Sequence, residues 1–193
     1  MRLSRAGEFE QSLAFASKWI EEEPFSNAAY RAAVWAASIA EQYEVADKLC
    51  LKGLRFNSGS SPLLNTRVFV LASQGRVVEA VKVLNSIRNF DEDASKLVVE
   101  ANRGLIAFRM GNPIQGMAHY QSAIAGFQKA NNERMERHAR AYLAREAARV
   151  GLNVAAELIA ETEKMNVRPQ LPEVARILQS ATASLSTGKE MVP

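Results

Sequence analysis

One cysteine, six prolines, two histidines and no long unbroken apolar run occur in these 193 residues. Each scarcity excludes something. The lone Cys50 cannot close an internal disulfide, so the chain is not a disulfide-stapled secreted scaffold. It falls in ADKLCLKGL, among apolar neighbours at helical spacing, and is expected to be a buried structural thiol. His119 and His138 have no acidic or cysteine cluster at ligand spacing around them, which argues against a metal centre. No stretch reaches the roughly 18 apolar residues that cross a bilayer. The opening MRLSRAGEFEQ is not followed by the apolar core of a secretory signal. A phosphate-cradling glycine motif, a nucleophile elbow and a zinc-type cysteine pair are all missing. These absences predict a cytoplasmic protein that is not an enzyme and takes no cofactor or metal.

What is present is 48% hydrophobic and 23% charged residues, enough apolar surface to fold rather than stay disordered. The net charge of +3 is distributed in blocks. Residues 1–47 carry four Lys/Arg and eight Asp/Glu, residues 48–90 carry seven and one, residues 91–100 sum to −3, and residues 101–150 carry eight and three. Alternating blocks suit selective contacts better than a continuous polyanion track.

An apolar period near 3.6 runs through almost every segment, while strand-like alternation and hairpin turn signals are missing, so the fold class is all-α. Ser26, Ser61 before Pro62, and Asn112 before Pro113 each signal a helix start. Asp91, Glu92 and Asp93 read as a cap and favourable charge at a helix N-terminus rather than as catalytic carboxylates. Residues 57–61 read as an interhelix turn.

Five segments align: GEFEQSLAFASKW from Gly7, EQYEVADKLCLKG from Glu41, GRVVEAVKVLNSI from Gly75, GNPIQGMAHYQSA from Gly111 and GLNVAAELIAETE from Gly151, starting 34, 34, 36 and 40 residues apart. Each places a small residue five positions after its start: Ser12, Ala46, Ala80, Gly116 and Ala156. Gly104 and Ala144 supply small residues on the preceding helices, Pro24 closes a unit, and Tyr30 is an aromatic near a first-helix start, where later units have Leu64, Glu100 and Arg140. This pattern resembles the tetratricopeptide repeat family, whose units of about 34 residues are helix pairs. The resemblance implies a right-handed superhelical array of antiparallel helix pairs, an α-solenoid, over residues 1–168. Within it, 1–24 is a partial repeat and 26–58, 60–90, 92–129 and 131–166 are pairs. A capping helix over 169–186 and a flexible tail over 187–193 follow. MRLSRA aligns with the end of a missing first helix, so the chain reads as part of a larger protein; the alternative is a complete chain whose helix from Leu3 to Glu22 caps the array. The capping helix places Leu171, Val174, Leu178, Ala181 and Leu185 on its inner face and Glu173, Arg176, Gln179 and Thr182 on its outer face, with homodimerisation through a terminal helix as an alternative use of the apolar side.

The same resemblance implies function. First helices of such pairs line a concave groove that binds a partner peptide or helix, and the groove positions here are Arg31, Trp35, Asn65, Phe69, Asn102, Arg109, Tyr142, Arg145 and Arg149. Asparagine can bond both edges of a peptide unit, arginine can fork a carboxylate, and aromatics can anchor. That set suits an acidic or C-terminal protein segment and predicts a protein-interaction scaffold. The blander readings place Trp35 and Phe69 in the interhelix core and Arg145 and Arg149 on a solvated face. The carboxylate clamp of chaperone-binding members fits poorly, because Trp35, Thr66 and Val98 stand at its expected positions. A different class is RNA association through Arg134, Arg137, Arg140, Arg145 and Arg149 with Tyr142 and His138, although Glu133, Glu136 and Glu146 interrupt that run.

Overall fold

The computed structural model describes residues 9–87 and 93–189. Among them there are ten α-helices and no strand: α1 Phe9–Glu22, α2 Asn27–Ile39, α3 Tyr43–Phe56, α4 Ser61–Ser73, α5 Val77–Ser86, α6 Asp93–Arg109, α7 Pro113–Lys129, α8 Glu133–Arg149, α9 Ala155–Met165 and α10 Pro172–Lys189. The all-α expectation is met. Residues 1–8, and with them Gly7 and the expected start at Leu3, lie outside the described residues, as do Asp91 and Glu92.

Local chemistry sets the boundaries. The Ser26 hydroxyl accepts from Ala29 N, and the Asn112 side chain accepts from Gln115 N with Pro113 at the first helical position, satisfying amides that a helix start leaves unpaired. At α4 the cap is Ser60, accepting from Leu63 N, so Ser61 is already helical. The aligned starts share a backbone conformation as well as a sequence pattern. Glu41, Gly75, Gly111 and Gly151 all have positive φ, between 57° and 77°. Behind each, the next amide reaches back across the helix end: Gln42 N to Ala37 O, Arg76 N to Leu71 O, Asn112 N to Ala107 O and Leu152 N to Ala147 O, each 2.9 Å. This left-handed closure satisfies terminal carbonyls and reverses the chain into the paired helix.

The chain divides into two compact units, Met1–Asn102 and Arg103–Pro193, and the division falls inside α6 rather than at a linker. In the first unit, α1 packs on α2, α2 on α3, α3 on α4 and α4 on α5, while α2 also touches α4. Its core gathers Ala16, Ile20, Tyr30, Ala33, Val34, Ala37, Ala46, Cys50, Leu63 and Val70. Small residues at the crossings let larger neighbours close over them. Cys50 is fully buried, and burial first, then the Asp47 charge, pushes its thiol up to about 12, so it is a structural thiol. A salt-linked cluster ties α3 to α4 and to the turn before α5: Arg67 Nε (2.9 Å) and Arg76 Nη1 (2.6 Å) donate to the buried Asp47, and Arg76 also holds Glu79.

In the second unit, α7 packs on α8, α8 on α9, and α10 on both α8 and α9. Leu105, Phe108, Tyr120, Phe127, Leu143, Val174, Leu178 and Ala181 form its interior. Ala46, Ala80 and Gly116 are buried as the alignment requires, but Ala156 is exposed and Ala155 takes its place with none of its surface exposed. The register shifts by one because residues 151–154 form the turn and α9 starts only at Ala155. A second correction concerns α10. Val174, Leu178 and Ala181 face inward and Arg176, Gln179 and Thr182 outward as expected, but Glu173 is 1% exposed. It is drawn inward because α8 presents Arg134 and His138 to it. The helix also extends to Lys189, through residues expected in the tail.

Candidate functional site

In the first unit the candidate residues stand on α2, α4 and α6. Arg31 is exposed on α2, and one turn on, Trp35 is half-buried with its ring edge-to-face against Phe9 of α1, centroids 5.8 Å apart. On α4, Phe69 is half-buried against Tyr43 of α3 and packs on the core cluster. Both aromatics thus take part in interhelix packing while retaining exposed surface. Asn65 and Asn102 come together across 37 residues of sequence. Asn102 Nδ2 donates to Asn65 Oδ1 at 2.6 Å and to the Asn65 carbonyl at 3.1 Å, and the two residues are 8% and 5% exposed. This clasp joins α4 to α6 and leaves the pair with the Asn65 amide N–H groups and the Asn102 carbonyl oxygen, a donor and an acceptor.

In the second unit Arg109, Arg145 and Arg149 converge on a residue absent from the sequence-derived set, Glu146, none of whose surface is exposed. Arg109 Nη1 donates to Glu146 Oε2, Arg145 Nε and Nη2 lie 3.1 and 3.0 Å from Oε1, and Arg149 Nη1 lies at 3.5 Å. The Arg145 guanidinium lies 4.7 Å from the Tyr142 ring centroid, a cation–π distance. Arg145 is only 1% exposed, which overturns its reading as part of a solvated face. The signal that could have found Glu146 was its place three residues before Arg149, since helical spacing of three or four brings side chains together.

The remaining arginines of α8 are also engaged. Arg134 Nη2 donates to Glu173, Arg137 to Glu133 and the Pro169 carbonyl, and Arg140 to Glu136, which also accepts from Gln128. The glutamates that interrupt the basic run are its ion-pair partners. His138 Nε2 lies 3.3 Å from Glu173 Oε1. Among the described residues no three His, Cys, Asp or Glu side chains gather as a metal site, and no described helix is long and apolar enough to cross a membrane. A groove of about 730 Å³ between α9 and α10, lined by Asn166, Gln170, Gln179, Thr182 and Ser186 among others, contains none of the predicted residues.

Glu173 makes a pH test of the α8–α10 contact. Burial pushes its carboxyl up, but hydrogen bonds from His138, from its own backbone N–H and from Arg134 outweigh burial and hold it at about 2, against an ordinary 4.5. A carboxyl depressed on folding adds stability that is fully present above 4.5 and is lost as pH falls from there towards 2. Glu173→Gln should therefore show a lower urea midpoint than the parent at pH 6, with the gap closing as pH falls through that window. A gap independent of pH would show that the carboxylate contributes nothing to the docking of α10.

Comparison with known proteins finds no match to this chain among family models, curated proteins or solved structures.

Proposed function

We propose that this chain is a non-catalytic protein-interaction scaffold of the tetratricopeptide type, its helix pairs stacked in a right-handed superhelix. The partner it takes is an extended protein segment, acidic or C-terminal, laid along the first helices of the pairs. Cytoplasmic residence belongs to the same reading, supported by the single buried cysteine.

The Asn65–Asn102 clasp carries this reading. It fixes two buried side-chain amides side by side, and the donor and acceptor left to them match the two polar groups of a peptide unit. A peptide backbone can therefore be gripped regardless of its sequence. Sequence preference comes from Arg31, an exposed cation suited to a carboxylate, and from the exposed parts of Trp35 and Phe69. The nucleic-acid alternative has less support, because the α8 arginines that would meet phosphates are held by Glu133, Glu136, Glu146 and Glu173.

The test is selection from a displayed peptide library, followed by affinity measurements on the parent chain and on Arg31→Ala and Asn102→Ala variants of confirmed helicity. Loss of Arg31 should weaken the selected peptide by roughly fivefold to thirtyfold, as expected for an interface residue worth about 1–2 kcal/mol. Selection of no peptide, or equal binding by the parent and both variants, would refute the reading.

A further inference from the structure

We infer that the first unit carries a self-complementary surface through which two copies of this chain pair about a twofold axis, with Phe25 and Phe56 at its centre. The surface lies at the ends of α1 and α3 and does not depend on peptide binding by the Asn65–Asn102 face.

An exposed aromatic pair singles the place out. Phe25, in the turn after α1, and Phe56, the last residue of α3, are 69% and 47% exposed, and their rings meet edge-to-face with centroids 4.9 Å apart. Asn57 Nδ2 donates to the Phe25 carbonyl at 3.3 Å and to the Gly53 carbonyl at 3.2 Å, which pins the turn to the end of α3. Two adjoining rings left in water form an apolar patch, and such a patch rimmed by charge marks an interaction surface.

The rim carries opposite charges on its two sides. Leading back from Phe25 are the exposed Glu21, Glu22 and Glu23. Leading back from Phe56 are the exposed Arg55, Lys52 and Lys48, whose spacing of three and four puts them on one face of α3 with the exposed Leu51. Both helices pack on α2, and both lead to the aromatic pair. Among the described residues, neither trio of charges has an ion-pair partner. The residues of contrary sign, Lys18 on α1 and Glu44 on α3, stand further back along the two helices.

A twofold axis through the rings exchanges the two sides, so the acidic trio of each copy meets the basic trio of the other and the four rings share one apolar centre. A ligand of a single sign would be attracted by one side and repelled by the other, so the occupant is a second copy rather than an acidic or a basic partner. Aromatic anchors inside a charged rim are the common anatomy of an interface. With so small an apolar centre the association is reversible and sensitive to salt.

The experiment is sedimentation velocity of the full chain over a dilution series, at low and at high ionic strength. A monomer–dimer equilibrium that weakens with salt is expected, and Phe56→Ser of confirmed helicity should weaken it by roughly tenfold to thirtyfold. Two charge reversals then identify the surface: Lys52→Glu with Arg55→Glu, and Glu21→Lys with Glu22→Lys. Each reversed chain alone should be monomeric, while an equimolar mixture of the two should dimerise, because each then offers the other a single, opposite sign of charge. A misfolded variant cannot produce that recovery. A parent chain that is monomeric at every concentration, a dimer unaffected by either reversal, or a mixture that stays monomeric would overturn the inference.

Discussion

Replacing Glu146 with alanine lowers the free energy of unfolding by about 3–5 kcal/mol, because it removes a fully buried carboxylate that Arg109, Arg145 and Arg149 all contact. The magnitude follows from burial. A buried ion pair gives little net stability when compared with a well-packed apolar substitute, but removing one partner leaves the other charge desolvated and uncompensated. Arg145 at 1% exposure cannot recover its hydration without opening α8 away from its neighbours. Glu79 provides the control, since its side chain is 50% exposed in its pair with Arg76, itself 38% exposed, and a solvent-exposed pair contributes little net stability. Urea unfolding of Glu146→Ala and Glu79→Ala measures the contrast; equal midpoints would show that the Glu146 cluster is no more stabilising than a surface pair.

Gly104→Val should destabilise the second unit by about 1–3 kcal/mol, the usual cost of forcing volume into a filled contact. A Cβ at Gly104 would stand 2.6 Å from Tyr120 Cδ2 and 3.0 Å from the Gly116 carbonyl oxygen, while one at Gly116 would stand 2.5 Å from Phe108 Cδ2. The two glycines face each other where α6 crosses α7, and the buried rings of Tyr120 and Phe108 fill the space that missing side chains leave. Neither the rings nor the carbonyl can withdraw without shifting a helix. The better helix propensity of valine returns only a few tenths of a kcal/mol. Gly59→Ala, where a Cβ meets no atom within 4 Å, should change the urea midpoint little. A Gly104→Val protein as stable as the parent would mean that α6 and α7 separate freely at this crossing.

Much of the local architecture was legible in the sequence because it depends on neighbours along the chain. The 3.6-residue apolar period identified the helices, Ser26 and Asn112 marked starts, and the aligned glycines marked the turns through their tolerance of positive φ. Pairing information was harder to read. Asn65 and Asn102 appeared as two separate groove positions, and their mutual bond depends on how α4 and α6 approach. Arg109, Arg145 and Arg149 were identified as polar residues of one face, but the buried glutamate that gathers them was read as an interruption of a basic helix.

Taken by itself, the sequence determined an all-helical chain built from recurring helix pairs, because helix period, capping and left-handed closure are set within a few residues of one another. Tertiary structure decided which charges are buried and what they pair with. Glu173 was assigned to a solvated face by its helical phase and is held inside by Arg134 and His138, while Ala155 replaced Ala156 at the packing contact through a one-residue shift. The physical reason is common to both: a helix period states which residues share a face, whereas the partner across that face, 35 or 39 residues away for Glu173, decides whether a charge there is solvated, neutralised or concentrated.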